Sequence, residues 1–332
     1  MSFSLTVPPV LSRGVAFRDE TLRADLARQE AGWPSARLVV VDDKGCTPVA
    51  WSDEPGSGCR ADFRVGDAGS WDVGQGSTAS LRTCATTGAT PTEGAVLLGE
   101  HDGVAYWAVR GEPDLLAGDD PAAWADLRMA GAVLDPLGAG LFVTACAVLN
   151  WHDTARFCSR DGSPTRVAYG GWHRLCAASG HEEYPRTDPS MICLVHDGGA
   201  GDEARVLVAR QASWPVGRFS VLAGFVEAGE SLEACVAREV HEEVGVVVRD
   251  IAYLGSQAWP FPRSLMIAFQ AVADSAAPLR PADGEIAEAR WVTRTQLRDA
   301  LAAGDWGASE AKLLLPGKVS IARAMLESWV TA

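Results

Sequence analysis

The sequence predicts a layered α/β (α+β) protein with more than one domain. In the second half of the chain, strand-like apolar runs alternate with helical segments, a pattern typical of helices packed on a sheet. The 332 residues are enough for two ordinary domains. Hydrophobic residues make up 47% of the chain and charged residues 22%, which is typical of a globular protein and excludes a disordered one.

An N-terminal α/β domain is predicted for residues 1–135. Residues 36–41 form an apolar run typical of a strand, and residues 94–110 contain two such runs separated by Asp102-Gly103, which predicts a hairpin. Residues 52–92 are rich in Gly, Ser, Thr and Asp and are predicted to form loops. Because the region contains no catalytic motif, a dimer contact is the simplest role for it.

A linker and a third region follow. Residues 136–187 are predicted to contain a buried linker helix, at the apolar stretch 137–151, followed by a Gly-rich segment. Residues 188–332 begin with strand-like runs at 191–195 and 204–209 and end with a helical stretch. The alternation of strands and helices places the main α/β domain here.

The charge and the cysteines restrict partners and location. The net charge is −14, from 43 acidic and 29 basic residues, so the surface lacks the basic footprint that binds duplex DNA. No apolar run reaches the roughly 18–20 residues of a membrane helix, and no targeting segment is evident, so we expect a cytoplasmic protein without a membrane partner. In that compartment most of the eight cysteines are expected to be free.

One helix in the third region carries an unusual set of carboxylates. Ser231 is a suitable N-cap, an apolar stripe repeats every four residues from Leu232, and Gly245 is suited to end the helix. Three glutamates share one face of this helix: Glu239, Glu242 and Glu243. Carboxylates at this density repel one another unless cations lie among them, and hard oxygen ligands favour Mg²⁺ or Mn²⁺. An exposed acidic helix with no ligand is the alternative.

The whole segment 224–246, GFVEAGESLEACVAREVHEEVGV, resembles the Nudix box at each defining position. The resemblance implies a Nudix fold, with a mixed β-sheet between helices, and a pyrophosphatase. It implies that Glu239 and Glu243 bind the metal and that Glu242 adds a ligand or assists the base, so that Glu242 and Glu243 are the catalytic candidates. It also implies structural roles, with Arg238 paired to Glu230: Gly224, Glu230, Arg238 and Gly245.

A second motif narrows the substrate. Residues 256–266, SQAWPFPRSLM, contain two prolines that restrict the backbone and two aromatic rings suited to a planar base, although such a segment can also be a packed structural loop. The segment resembles the signature SQPWPFPxS of NADH pyrophosphatases, with Ala258 in place of a proline. The resemblance implies a dinucleotide substrate held by these side chains: Gln257, Trp259, Ser264 and Met266.

Three further matches to the family surround these motifs. Tyr184-Pro185-Arg186 resembles a segment that precedes the Nudix domain, and it implies that Tyr184 reaches a substrate site across a homodimer. Phe225 resembles the residue that stacks on nicotinamide. Residues 283–291 resemble the segment that supplies a further metal-binding glutamate, which we assign to Glu285, with Glu288 as the competing choice.

The family commonly carries a zinc ribbon with two Cys-x-x-Cys knuckles, and here each knuckle keeps only its first cysteine, Cys158 or Cys176. A structural zinc site needs four ligands. Asp161 with His173 or His181 could complete a set, whereas Ser179 is a poor ligand. We therefore expect a degenerate ribbon without zinc, held by hydrogen bonds and packing.

The resemblance implies metal-dependent hydrolysis of NAD(H) to nicotinamide mononucleotide and AMP. The same chemistry would remove an NAD cap from an RNA 5′ end, which needs only a local groove. Two alternatives stay open: a Nudix pyrophosphatase for ADP-ribose or another nucleoside diphosphate derivative, and a non-catalytic sensor of NAD(H) or RNA.

Overall fold

The structure, a computed structural model, describes residues 3–51, 79–111, 124–306 and 312–332. Most of the segment predicted to form loops lies outside the described residues, namely residues 52–78, which include Cys59. The other seven cysteines are all free thiols, as expected. Within the described ranges, no helix is both long enough and apolar enough to cross a membrane.

The N-terminal part contains two small sheets and four helices. Its strands are β1 (Arg37–Val41), β2 (Cys46–Trp51), β3 (Ala79–Leu81), β4 (Cys84–Ala85), β5 (Val96–His101), β6 (Val104–Arg110) and β7 (Trp124–Asp126). Its helices are α1 (Glu20–Ala24), α2 (Leu26–Gly32), α3 (Leu127–Ala130) and α4 (Pro136–Thr154). The strands are ordered β4-β1-β6-β5 and β3-β2-β7. β1 and the β5–β6 hairpin are confirmed, and positive φ angles at Asp102 and Gly103 form the hairpin turn.

The apolar stretch 137–151 is confirmed as a helix, but it is not a free linker. Asp135 caps α4 by accepting a hydrogen bond from the backbone N–H of Gly138, and Pro136 occupies the first turn. Buried side chains of α4, among them Phe142 and Leu149, pack with strands β1, β5 and β6 in one apolar core. By its packing, α4 belongs with the N-terminal part of the molecule.

A small three-stranded sheet follows α4. It contains β8 (Thr165–Ala168), β9 (His173–Cys176) and β10 (Glu182–Glu183), in the order β10-β9-β8 with antiparallel neighbours. This sheet holds the two cysteines of the predicted ribbon close together, since Cys158 precedes β8 and Cys176 ends β9.

The C-terminal part has the predicted mixed sheet between helices. Its strands are β11 (Asp188–His196), β12 (Arg205–Gln211), β13 (Leu222–Phe225), β14 (Val248–Trp259), β15 (Ser264–Ala273) and β16 (Ile286–Thr293). Its helices are α5 (Leu232–Val244), α6 (Arg294–Ala303) and α7 (Ile321–Thr331). The strand order is β14-β15-β11-β12-β16, with β13 paired to β11, and the β11–β15 pair is parallel. Helix α5 packs on one apolar core, whereas α6 and α7 pack on another.

The two ends of the chain meet on the C-terminal part. Phe3 is buried among its apolar residues, and the side chain of Gln270 accepts from the Phe3 N–H at 3.3 Å and donates to the Phe3 carbonyl at 3.0 Å. Ser12 then donates to the carbonyl of Ser256 at 2.8 Å. The N-terminal segment therefore runs along the C-terminal part before it enters the N-terminal sheets.

Candidate active site

The box forms a strand, a loop and a helix. The Ser231 hydroxyl accepts a hydrogen bond from the N–H of Ala234 and caps α5. Gly245 ends the helix with a left-handed φ of 75°, which favours glycine. The buried residues Val236, Val240 and Val244 fix α5 to the core. Of the three glutamates on the neighbouring face, Glu243 is buried and Glu242 is exposed.

Gly224 lies against the carboxyl group of Glu239. A Cβ atom on Gly224 would lie 1.9 Å from Cδ of Glu239, closer than any side chain tolerates. Gly224 sits in β13, where it pairs with Met191 of β11. The glycine therefore lets the sheet approach the metal-ligand candidate Glu239 directly.

Arg238 joins the loop to the helix. Its Nε and Nη2 atoms donate to the two carboxylate oxygens of Glu230 at 3.1 and 2.5 Å, which is the fork geometry of arginine with a carboxylate. Its Nη1 atom also donates to Glu239 and Glu242, at 2.9 Å each. The Arg238 guanidinium lowers the pKa of Glu230 to about 2. The positively charged Arg238 side chain thus holds the loop in place and offsets the repulsion among the box carboxylates.

Glu243 is the most buried of the candidate ligands. Glu243 is only 3% exposed, and its Oε2 atom has no hydrogen-bond partner. Burial raises the pKa of Glu243 to about 8, and the charges of Glu239 and Glu285 add to the rise. Burial also raises the pKa of Glu239. A buried carboxylate oxygen without a partner is costly unless a cation binds it.

The structure separates the two candidates for the fourth glutamate. The negative charge of Glu285 contributes to the raised pKa of both Glu239 and Glu243, so Glu285 lies near these two carboxylates. Glu288 instead lies within β16 opposite Arg210, and its carboxylate is 3.7 Å from Arg290. The arrangement therefore favours Glu285.

The donor chemistry of the box fits a divalent cation. The candidate donors are the carboxylates of three box residues, Glu239, Glu242 and Glu243, together with that of Glu285. One oxygen of Glu243 is buried and has no partner. In the described ranges, no three of these carboxylates offer oxygens that all lie within 4.8 Å of one another, and Arg238 forms ion pairs with Glu239 and Glu242.

The second motif forms the turn between β14 and β15. The rings of Trp259 and Phe261 are T-shaped with centroids 4.8 Å apart. Both rings pack against the core of the N-terminal part, not against either core of the C-terminal part. Arg263 continues the turn, and its Nε donates to Asp188 at 2.7 Å.

The other three candidates from this motif differ in exposure. Ser264 and Met266 are half-buried on β15, opposite Trp259 and Gln257 of β14. Gln257 is completely buried, and its Nε2 donates to the carbonyl of Val319 at 2.7 Å. Its Oε1 atom is buried and has no hydrogen-bond partner.

Two aromatic candidates are exposed. Phe225 is 59% exposed at the end of β13, and its backbone carbonyl accepts from Arg238 Nη2 at 3.0 Å, which fixes the backbone while the ring faces solvent. Tyr184 is 55% exposed, donates to Glu182 and meets His173 edge-on at 4.4 Å between ring centroids. Both rings are available to a ligand or to a second chain.

The ribbon residues form a compact cluster. The ligand atoms of Cys158, Asp161 and Cys176 lie within 4.8 Å of one another, the only such group of three in the described ranges. The Cys176 thiol donates to Asp161 at 3.5 Å and accepts from the Ser179 N–H at 3.4 Å. The Ser179 contact lowers the pKa of Cys176. Neither of the histidines considered as ligands, His173 or His181, belongs to this group.

Sequence reasoning missed three residues that surround the second motif. Asn150 of α4 donates to the carbonyls of Pro260 and Pro262, at 3.2 and 3.3 Å. Arg110 holds Asn150, and Arg128 of α3 lies over the Phe261 ring. The available signal was that Asn150 is the only asparagine in the chain, at the polar end of an apolar helix.

Taken together, the mixed sheet and the glutamate-bearing box helix define a Nudix hydrolase. Domain families match in three consecutive segments: the NADH pyrophosphatase-like rudimentary NUDIX domain at 37–151, the NADH pyrophosphatase zinc ribbon domain at 153–184 and the NUDIX domain at 186–313. A protein of Mycobacterium tuberculosis, named NAD-capped RNA hydrolase NudC, is 48% identical over 99% of this chain and 97% of its own length. The chain therefore belongs to the NADH pyrophosphatase family of Nudix hydrolases.

Other relatives match less of the chain. Mouse mitochondrial NAD(P)H pyrophosphatase NUDT13 is 43% identical over 61% of this chain and 58% of its own. Among solved structures, a NUDIX hydrolase from Nitrosomonas europaea is 23% identical, with a TM-score of 0.35, over 42% of this chain and 79% of that one. Nudix hydrolases generally use divalent metal ions. The zinc ribbon match does not favour the expected absence of zinc, which stays a prediction.

Proposed function

We propose that this protein hydrolyses the pyrophosphate bond of NAD(H) to nicotinamide mononucleotide and AMP, and that it removes NAD caps from RNA 5′ ends. One observation carries the proposal: Glu243 has a buried oxygen without a hydrogen-bond partner, and the negative charges of Glu239 and Glu285 help to raise its pKa. Its helix packs next to β13, the strand that ends at the exposed ring of Phe225. The mycobacterial relative is named an NAD-capped RNA hydrolase and the mouse relative an NAD(P)H pyrophosphatase, and these two names support the two proposed substrates.

We assign roles to the protein's own groups. Glu239, Glu243 and Glu285, with Glu242 as a further ligand, would hold Mg²⁺ or Mn²⁺. When bound, such ions neutralise phosphate charge and lower the pKa of a coordinated water. A carboxylate of the box, Glu242 or Glu243, accepts the proton of the attacking water. Arg238 keeps the loop and the helix in register through Glu230.

The aromatic groups would orient the dinucleotide. Phe225 offers an exposed face for the nicotinamide ring, and Trp259, with Ser264 and Met266, borders the same end of the sheet through the β14–β15 pair. Gln257 is buried and would support this surface from the interior of the protein. An acidic protein that takes a single-stranded RNA end needs contacts at the first nucleotides only.

The proposed working form is a cytoplasmic homodimer. Tyr184 is exposed beside the ribbon, and in the dimer its ring would reach the site of the second copy. Light scattering of the purified protein tests this form, and a monomeric mass with full NADH hydrolysis would contradict it.

We further propose that the ribbon has lost tight zinc binding. Two thiols and one carboxylate remain at the positions of four thiolates, and Ser179 contributes a backbone N–H to Cys176 instead of a metal bond. Hydrogen bonds such as the one from Ser159 N–H to Glu183, at 2.7 Å, support the small sheet without an ion.

The decisive experiment measures products from NADH with Mg²⁺ or Mn²⁺ for the wild type and Glu243→Gln, with ADP-ribose and NAD-capped RNA as further substrates. Nicotinamide mononucleotide and AMP, lost in the variant, would support the proposal. Brisk ADP-ribose cleavage without NADH cleavage would favour the alternative pyrophosphatase. Binding of NADH without turnover by the wild type would favour a sensor.

A further inference from the structure

The turn that carries Trp259 and Phe261 contains few internal backbone hydrogen bonds. Pro260 and Pro262 have no N–H groups, so they cannot donate backbone hydrogen bonds across the turn. Within the turn, the N–H of Phe261 donates to the carbonyl of Trp259 at 2.7 Å, and from the neighbouring strand β11 the N–H of Asp188 donates to the carbonyl of Arg263 at 3.0 Å. The carbonyls of Pro260 and Pro262 are directed away from these bonds and toward the N-terminal part.

Asn150 donates hydrogen bonds to both of these carbonyls. Its Nδ2 atom donates to Pro260 at 3.2 Å and to Pro262 at 3.3 Å, across 110 and 112 residues of chain. One amide group with two hydrogens thus matches the two carbonyls that flank Phe261.

Arg110 decides which way the Asn150 amide faces. Arginine has only donors, and Arg110 Nη2 lies 2.7 Å from Asn150 Oδ1, so that oxygen must face Arg110 and the NH₂ group must face the turn. Asp153 fixes the guanidinium in turn, at 2.6 Å from Nη2, and the carbonyl of Asp42 accepts from Nη1 at 2.8 Å. The orientation of the amide is therefore set before any substrate arrives.

Arg128 provides a second, independent contact. Its guanidinium carbon lies 3.7 Å from the centroid of the Phe261 ring, which is a cation–π contact. Arg128 belongs to α3 and Asn150 to α4, so two separate helices of the N-terminal part touch the turn. The Trp259 and Phe261 rings complete the contact by packing on the same core.

We propose that Asn150 and Arg128 are positioning residues, through which the N-terminal domain holds the aromatic turn in the conformation that receives the dinucleotide. The inference rests on the proposed function, because it takes Trp259 to border the substrate. It gives the N-terminal domain a role in substrate affinity besides any dimer contact.

Asn150→Asp is the sharpest variant. The carboxylate keeps an acceptor for Arg110 but places its second oxygen against two carbonyl oxygens, so it removes the contact to the turn and leaves the rest. We expect the KM for NADH to rise about tenfold while kcat changes less than about twofold. Arg128→Gln should raise KM by about two- to fivefold. Arg28→Gln is its matched control, because it removes an exposed ion pair with Glu100 in the same domain, away from the turn.

Two readouts separate positioning from a general loss of stability. Hydrogen exchange of residues 256–266 should quicken in Asn150→Asp, whereas exchange in α5 and β11 should not change. The wild type labelled with ¹⁵N-asparagine should give a single side-chain NH₂ pair, because the chain has one asparagine. That pair should shift when NADH is added to labelled Glu243→Gln.

An unchanged KM, or a fall in kcat that follows a lower melting temperature, would overturn the inference. If the wild type neither binds nor cleaves NADH, the proposed function fails before any variant is compared. Loop exchange then decides the positioning claim by itself: unaltered exchange of residues 256–266 in Asn150→Asp overturns it.

Discussion

Gly224 and Glu239 touch across the start of the box, where a Cβ atom on the glycine would lie 1.9 Å from the glutamate Cδ. The contact joins a strand of the sheet to the carboxylate face of α5. It is possible only because position 224 has no side chain.

Gly224→Ala should therefore impair catalysis more than folding. The Glu239 carboxyl group is the far end of a flexible side chain, so it can turn away from the methyl group at little cost in stability. A displaced carboxyl group can no longer bind an ion together with Glu243 and Glu285. We expect a loss of at least about 100-fold in kcat/KM and weaker Mn²⁺ binding, with a melting temperature within a few degrees. Gly32→Ala is the control, because a Cβ there meets no atom within 4 Å. A fully active Gly224→Ala enzyme would refute a ligand role for Glu239.

Glu243 makes stability depend on pH in the metal-free protein. Its pKa is about 8 in the folded chain and near 4.5 in an unfolded one, so the folded state holds the proton more tightly. The contribution of this proton to stability is complete below pH 4.5 and is lost as the pH rises through 8. We expect the melting temperature in EDTA to fall over this range, and Glu243→Gln to reduce that fall. Thermal denaturation in EDTA at pH 5, 7 and 8.5 measures the melting temperature, and identical pH dependence of variant and wild type would count against a buried, protonated Glu243.

Glu243→Gln should also abolish turnover while the fold persists. The amide keeps the volume of the side chain but removes a charged ligand, so we expect kcat to fall at least about 1,000-fold. Circular dichroism and melting in EDTA serve as controls for folding. Activity within tenfold of the wild type would exclude Glu243 as a ligand or base.

Arg238→Lys should weaken the box most when no metal is present. A lysine ammonium cannot reproduce the fork to Glu230 together with the bonds to Glu239 and Glu242. The repulsion among the carboxylates of Glu230, Glu239 and Glu242 then destabilises α5 unless a cation compensates it. We expect a lower melting temperature in EDTA and partial recovery with Mg²⁺, measured by differential scanning fluorimetry. Arg298→Lys, in an exposed pair with Asp202, is the control. Equal destabilisation with and without Mg²⁺ would contradict this role.

Restoring the two missing ribbon ligands should restore tight zinc binding. Asp161→Cys with Ser179→Cys places four thiols where the structure already gathers Cys158, Asp161 and Cys176 within 4.8 Å. We expect about one zinc ion per chain in the double variant, resistant to mild chelators, and a higher melting temperature. The wild type should lose zinc on the same treatment. Stoichiometric zinc that survives chelation in the wild type would show that two thiols and a carboxylate suffice.

The sequence determined the local parts of the site. The 3.6-residue period of one helix places Glu239, Glu242 and Glu243 on a shared face, and the caps Ser231 and Gly245 mark its ends. These features depend on neighbours within a few turns, and the structure places α5 where the box predicts a helix. The hairpin at Asp102-Gly103 was predictable for the same reason.

Tertiary structure alone decided what the rest of the chain does to that site. Pairing across 110 residues brings Asn150 to Pro260, and no local pattern records it. Packing decided that α4 joins the N-terminal core and that Gln257 is buried. Glu285 and Glu288 are three residues apart and chemically alike, so only the path of the chain before and along β16 separates them. Such contacts depend on which surfaces meet after folding, a property that composition and periodicity do not carry.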